Sequence, residues 1–194
     1  MDCKTIKPEK FGTFDAIVSL GAFEHFCSKE EWKAEKQDEI YNNFFKVVSD
    51  LLQGGKRFFL QTMTFGKNMI DSDEIDINAH KDSVAYLCAH MEKSFPGSWL
   101  PSGKEQIIKN AKPFFKLISN SNGRLDYIET QKQWEKKFWG FSFRKYLFYF
   151  SLIPNYLTNK DLRKRLVKIG INATRLCFER EIIDHYRFVF EKVS

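Results

Sequence analysis

The segment spanning residues 14–26, FDAIVSLGAFEHF, constrains this chain more than any other stretch. The run Ala16-Ile17-Val18-Ser19-Leu20 is too short and apolar for a surface helix, and its β-branched pair marks a buried strand. Gly21 ends the run, as glycine does where backbone must turn or come close to a ligand. Directly beyond that turn sit two titratable groups, Glu24 and His25. They lie at the carboxyl end of a strand, the edge at which open α/β sheets bind ligands. Spacing alone leaves two readings open, a binding edge and an ordinary strand followed by a polar loop.

The rest of the chain alternates helical and extended patterns around this strand. Residues 7–12 read as a surface connection. Ser28 opens a helix, and Glu31 three residues on completes a capping box. Ile40, Tyr41, Phe44, Phe45, Val48, Leu51 and Leu52 then repeat at helical spacing and give that helix one buried face, until Gln53-Gly54-Gly55 stops it. Residues 56–64 form the next strand, with Phe58, Phe59 and Leu60 as its buried run. Residues 65–81 lack periodicity and read as a loop or lid. Its carboxylates Asp71, Asp73, Glu74 and Asp76 do not follow the spacing of a calcium loop, so a solvated loop is expected.

Residues 84–93 read as a helix, followed by the rigid aromatic loop Phe95-Pro96-Gly97-Ser98-Trp99-Leu100-Pro101. Ser102 is the expected cap of a short helix over 103–110, closed off by Pro113. A strand at 114–119, a turn at Asn122-Gly123 and a helix at 129–138 come next, leading into an aromatic and basic stretch at 139–156. Residues 163–177 read as helical. In the final strand, 185–193, Tyr186, Phe188 and Phe190 share one side. This alternation is that of the second half of a doubly wound α/β sheet.

Size and composition set the bounds. A chain of 194 residues makes one domain or the larger part of one, and 43% hydrophobic content with 20 Phe is ample for a core. Cys3, Cys27, Cys88 and Cys177 are scattered, with no CxxC and no zinc-site cluster; reduced thiols in a cytoplasmic protein are expected. The amino-terminal MDCKTIKPEK lacks the apolar core of a signal peptide. No window of about 18 apolar residues is long enough to span a bilayer, so a soluble chain is expected, at most associated with the membrane surface. The net charge of +6 is uneven: between Lys132 and Lys168 ten Lys or Arg face only Glu135 and Asp161. Such a patch suits an anionic partner, whether phospholipid or nucleic acid, or simply water. No nucleic-acid-binding motif is present, so nucleic acid is not expected.

The wording IVSLGAFEHF, continued through Gly54-Gly55, Phe95-Pro96-Gly97 and the Tyr127…Trp134 pair, resembles the cyclopropane fatty acid and mycolic acid cyclopropane synthases, S-adenosylmethionine-dependent methyltransferases. The resemblance covers most of the chain. It implies the C-terminal portion of a Rossmann-like class I methyltransferase sheet, strands four to seven with the last antiparallel, carrying helical insertions. Residues 1–194 would then be one partial methyltransferase domain, with 65–113 and 129–177 supplying substrate-side loops and helices. The implied reaction moves a methyl group to the cis double bond of an unsaturated fatty acyl chain of a phospholipid, giving a cyclopropane or methyl-branched product.

In that family the base is generally a bound bicarbonate. Glu24 matches the glutamate that orients it and shares its proton, Leu20 matches the backbone position beside it, and Tyr127 matches the bicarbonate tyrosine. Gln61 stands where the better-known synthases carry a histidine; glutamine can hydrogen-bond the anion but cannot titrate. The resemblance also places Leu20, Gly21 and Asp2 on the cofactor side and Phe95, Gly97 and Trp99 on the substrate side. His25 is expected to make a structural hydrogen bond. The stretch 139–156, with Arg144 and Lys145, suits either an acyl channel or a bilayer headgroup boundary.

One part of the family pattern is missing. No GxGxG occurs, only Asp2 could remain of the adenine-side loop, and the strands that should flank 14–20 are absent, leaving apolar edges exposed. A shortened chain is therefore expected, as a fragment, half of a split gene or a downstream start, which alone binds the cofactor poorly and pairs with a separate N-terminal half. Two rival readings stand beside this one: a small-molecule N-methyltransferase of the same superfamily, and a non-catalytic partner subunit of a separate methyltransferase.

Overall fold

A computed structural model describes residues 8–160, 162 and 173–193. Residues 7–12, expected as a plain connection, include a one-turn helix α1 (Pro8–Phe11). Strand β1 (Phe14–Leu20) then passes through a 3-10 turn at Phe23–His25 into α2 (Lys29–Lys33) and α3 (Gln37–Leu51). The capping box forms as the sequence predicts: the Glu31 N–H donates to Ser28 Oγ at 3.1 Å, and the Ser28 N–H donates to Glu31 Oε2 at 2.9 Å. The single helix expected beyond Ser28 is two helices, because Glu35 between them adopts φ +59°, a left-handed conformation that interrupts a right-handed helix. Helix α3 buries Tyr41, Phe45, Val48 and Leu51 along one face. It ends where Leu52 turns extended and starts β2 (Leu52–Phe65), so Gly54-Gly55 lies inside the strand rather than ahead of it.

Beyond β2 come a 3-10 turn (Ser72–Glu74) in an otherwise irregular loop, α4 (Val84–Ser94), α5 (Lys104–Ala111), β3 (Phe115–Asn122), α6 (Arg124–Trp139), α7 (Phe143–Thr158), α8 (Ala173–Glu179) and β4 (Ile183–Lys192). Gly103, not Ser102, occupies the α5 N-cap; the Ser102 N–H instead donates to Gln106 Oε1 at 2.8 Å. Helix α6 begins at Arg124 rather than 129, which puts Tyr127 in its first turn, where its N–H donates to the Gly123 carbonyl at 3.0 Å. Of the helix expected over 163–177, residues 163–172 lie outside the described residues, and the remainder is α8.

The four strands form one mixed sheet in the order β1-β2-β4-β3. β1 and β2 are parallel, while β4 runs antiparallel to both β2 and β3. β4 is buried on both faces. Tyr186, Phe188 and Phe190 pack with Phe58, Phe115 and the α3 residues Tyr41 and Phe45 in one core. Ile183 faces a second core with Leu87, Cys88, Ile128, Cys177, Phe178 and Ile182. The parity of an extended strand makes this division: residues two apart share a face.

The two ends of the β1–β2 pair differ in how they are held. β1 has the composition of a buried strand but, as the missing flanking strands imply, is an edge strand whose Val18 and Leu20 are 61% and 58% exposed; among the described residues it pairs only with β2. The far end of β2 is pinned at Gly66, whose N–H donates to the Ile182 carbonyl at 2.8 Å. A Cβ at Gly66 would collide with the Glu181 carbonyl, so only glycine allows this approach.

Candidate active site

Gly21 turns the chain at the end of β1 with φ +61°, its N–H donating to the Gln61 carbonyl at 3.1 Å. The adjoining 3-10 turn buries Phe23 in the first core and Glu24 beside it. Glu24 is only 6% exposed. Its Oε2 accepts a hydrogen bond from Thr62 Oγ1 at 2.9 Å. Oε1 carries no further hydrogen bond among the described residues, which leaves one oxygen of a fixed carboxylate to meet a bound molecule.

Glu24 lines a cavity, most of whose apolar residues belong to the second core. Cys88, Cys177, Ile182 and Ile183 form its apolar depth, Met63, Phe65, Met69 and Met91 its walls, and His25, Phe95 and Ser98 its rim. His25 makes the expected structural contact, Nδ1 to Ser98 Oγ at 2.7 Å. The loop 95–101 is held down from beneath. The Trp99 N–H donates to the Cys27 carbonyl at 2.7 Å, and Gln37 Nε2 donates to the carbonyls of Trp99 and Leu100 at 3.2 and 3.1 Å. Trp99 packs between Trp32 and Phe65, ring centroids 4.6 and 5.0 Å away. Phe95 and Trp99 both line the cavity, whereas Gly97 serves the turn between them with φ +78°.

Tyr127 reaches the same region from α6. Its ring stacks on His185 at 5.1 Å and packs against Phe178 at 4.8 Å. Burial pushes the Tyr127 hydroxyl pKa up, the Glu24 carboxylate adds to that, and the neighbouring Gln131 amide works the other way. Tyr127 is thus within electrostatic reach of Glu24, although it does not itself line the cavity. Burial likewise holds the His185 imidazole below its ordinary value, reinforced by Arg187 and opposed by Asp126. Gln61 falls one residue before Thr62, so its side chain takes the opposite face of β2 from the hydroxyl that bonds Glu24. Leu20 and Gly21 are exposed at the end of β1, and Asp2 lies outside the described residues.

Several contributors escaped the sequence reading. Thr62 carries no motif; only its parity with Phe58 and Leu60 marks it as core-facing. The cavity depth draws on α4, α8 and the start of β4, residues far apart in the chain. Two buried polar atoms near Tyr127, Gln131 Oε1 and His185 Nδ1, have no hydrogen-bond partner among the described residues.

Glu24 Oε1 is left as an acceptor on the cavity wall, open to a hydroxyl or N–H of a small bound molecule.

Comparison with known proteins bears on the family and the fold. A family model described as Mycolic acid cyclopropane synthetase matches residues 6–145, which include Glu24, Gln61 and Tyr127. The chain is 27% identical over 180 residues to the cyclopropane-fatty-acyl-phospholipid synthase of Escherichia coli (strain K12), covering 92% of this chain and 38% of the relative. It is 28% identical over 127 residues to cyclopropane mycolic acid synthase 3 of Mycobacterium tuberculosis, covering 65% of this chain and 40% of the relative. Among solved structures it superposes on the cyclopropane synthase MmaA2 from Mycobacterium tuberculosis with a TM-score of 0.62 at 20% identity, over 93% of this chain and 56% of that one. The mycolic acid cyclopropane synthase CmaA1 complexed with SAH and CTAB gives a TM-score of 0.60 at 23% identity over the same shares. The chain therefore spans well under half the length of these curated relatives and just over half of those structures, and it shares the methyltransferase fold. On the strength of the matched stretch, this chain belongs to the mycolic acid cyclopropane synthetase family.

Proposed function

We propose that this chain forms the substrate- and base-side part of an S-adenosylmethionine-dependent methyltransferase that alkylates the cis double bond of an unsaturated phospholipid acyl chain, giving a cyclopropane or methyl-branched product. The observation that carries the reading is Glu24: a carboxylate fixed by Thr62 at the end of β1, 6% exposed, on the wall of an apolar cavity. The names of the relatives, a phospholipid synthase and mycolic acid synthases, support a lipid acceptor. S-adenosylmethionine supplies the methyl group in such chemistry.

An alkene that gains a methyl cation becomes a carbocation, and ring closure requires a proton to leave it before water adds. The roles of this chain's residues answer that demand. Met63, Met69, Phe65, Ile182 and Ile183 would exclude water from the acyl chain. Glu24 and Tyr127 would hold bicarbonate, the Glu24 carboxylate orienting it and taking up its share of the proton. The Tyr127 ring offers a π-face to positive charge. Gln61, on the same face of β2 as the cavity-lining Met63 and Phe65, would be a third, non-titrating contact. Phe95, Gly97 and Trp99 would shape the entry for the acyl chain, with 65–113 and 129–177 as the substrate side of a single domain. Further sheet carrying the rest of the cofactor site would pack on the open β1 edge, where exposed Val18 and Leu20 provide apolar surface.

The test is Glu24→Gln in an assembly that turns over. Turnover with cis-unsaturated phospholipid should fall by about a hundredfold or more, with folding unchanged. A fully active Glu24→Gln protein would refute the role of the carboxylate. Methyl transfer to amine acceptors but not to lipid would refute the substrate class.

A further inference from the structure

Helix α7 departs from the rule that the other long helices obey. Its sequence, FRKYLFYFSLIPNYLT, is dominated by aromatic and aliphatic residues, yet none of them is buried. Phe143, Leu147 and Phe150 follow one another at helical spacing on exposed surface, and Trp139 and Phe141 extend the apolar patch just ahead of them. A helix apolar on nearly all sides needs a low-dielectric phase around it.

The formal charges on it have one sign. The two ionisable side chains of α7 that carry formal charge, Arg144 and Lys145, are both cationic and sit in its first turn. Lys145 Nζ donates to the carbonyls of Phe138 and Gly140 and lies over the Phe138 and Tyr146 rings, tying the end of α6 to the start of α7. Exposed Lys132, Lys136 and Lys137 on α6 extend the basic end. Sixteen residues of helix reach roughly 24 Å, short of the roughly 30 Å of bilayer hydrocarbon. Among the described residues no helix is long and apolar enough to cross a membrane. A short aromatic helix with a cationic end matches the make-up of elements that lie along a membrane surface. A second copy of the chain is a poorer occupant, because pairing two such faces brings Lys136, Lys137 and Arg144 against their own kind.

We propose that α7 and the basic end of α6 dock the protein on an anionic phospholipid bilayer, α7 lying in the plane of the headgroups. The proposal rests on the phospholipid reading of the active site and names the surface that meets the lipid. Most of α7 lies beyond the family-matched stretch, which ends at 145, so the surface is argued from this chain's own residues.

The experiment is vesicle co-sedimentation of the 194-residue chain, with phosphatidylcholine vesicles against the same vesicles containing phosphatidylglycerol. Tryptophan quenching by brominated acyl chains gives a second readout. Association with the phosphatidylglycerol vesicles is expected, weakening with added salt. Lys136→Glu/Lys137→Glu/Arg144→Glu should lower the partition coefficient on the order of a hundredfold. Phe143→Ser/Leu147→Ser/Phe150→Ser should lower it at least as far while leaving the circular dichroism unchanged, since no α7 residue is buried. Equal partitioning of the parent and both variants would overturn the proposal, as would no association with either vesicle. Lipid-free self-association abolished by the serine variant would also overturn it, and would assign the face to a second copy. Turnover is not needed for the readout. In an assembly that turns over, methyl transfer to amine acceptors but not to lipid would sink the substrate reading alone, and methyl transfer to detergent-dispersed lipid without vesicle binding would sink the docking alone.

Discussion

Replacing Thr62 by valine removes the one side-chain hydrogen bond that holds Glu24 among the described residues, while keeping the shape of the side chain. Thr62 Oγ1 has a single proton and two acceptors within range, Glu24 Oε2 at 2.9 Å and the Met63 carbonyl at 3.2 Å. The shorter, charge-assisted contact is the stronger. Both side chains are buried, Thr62 at 1% and Glu24 at 6% exposure, so water is poorly placed to take over from the lost hydroxyl. A hydrogen bond to a charged group contributes about 1.5–3 kcal/mol, and Thr62→Val should therefore destabilise the fold by about 2 kcal/mol. In a chain of this size each kcal/mol lowers Tm by about 2–4 °C, giving a drop of about 4–8 °C. Urea unfolding should show a lower midpoint with an unchanged m-value.

A double-mutant cycle isolates the contact. Glu24→Gln keeps an acceptor oxygen but makes the bond neutral, worth about 1 kcal/mol, so Thr62→Val should cost about 1 kcal/mol less in that background. Equal costs in the two backgrounds, or a Thr62→Val protein within about 0.5 kcal/mol of the parent, would show that the hydroxyl does not hold the carboxylate. The candidate site would then lose its anchor.

Neighbouring groups carry further consequences. Because burial first, and Arg187 second, lowers the His185 pKa, the unfolded chain takes up this proton before the folded one as pH falls. Its contribution to stability is complete above about pH 6.5 and declines below it; His185→Phe should flatten that limb of a stability–pH curve measured by urea titration. Gly66→Ala must push β2 away from the Glu181 carbonyl, and a loss of about 1–3 kcal/mol or more in urea unfolding is expected. Burial pushes the Cys27 and Cys88 thiols up to about 11 and that of Cys177 up to about 12. Peptide-resolved iodoacetamide labelling at about pH 8 should therefore be about a hundredfold slower for these three in the native chain than in urea.

What the sequence revealed is what local chemistry can specify. The Ser28–Glu31 box needs only residues three apart, and the α3 face and the Tyr186-Phe188-Phe190 side of β4 come from periods of 3.6 and 2. The turn at Gly21 needs only a residue that tolerates positive φ. Glu24, His25, Phe95 and Trp99 stand out because they sit in short stretches whose wording is distinctive, and all four line one cavity. Local reasoning overran at the α2–α3 junction, where Glu35 gives no signal of its left-handed turn, and at 124–128, where Asn122-Gly123 reads as a loop although Gly123 caps α6 directly.

Long-range packing decided the remainder. Whether an apolar strand is buried depends on its neighbours: β1 is composed for an interior and lies at an edge, as its missing flanking strands imply, but only the fold shows that Val18 and Leu20 are the residues in solvent. Thr62 became the partner of Glu24 because a 3-10 turn thirty-eight residues upstream delivers a carboxylate to the same face of β2. Cys88, Cys177 and Ile182 meet around that carboxylate only after α4, α8 and β4 converge. Sequence periodicity records which side of each element is apolar; it holds no record of which elements will face one another, and the cavity exists only through that meeting.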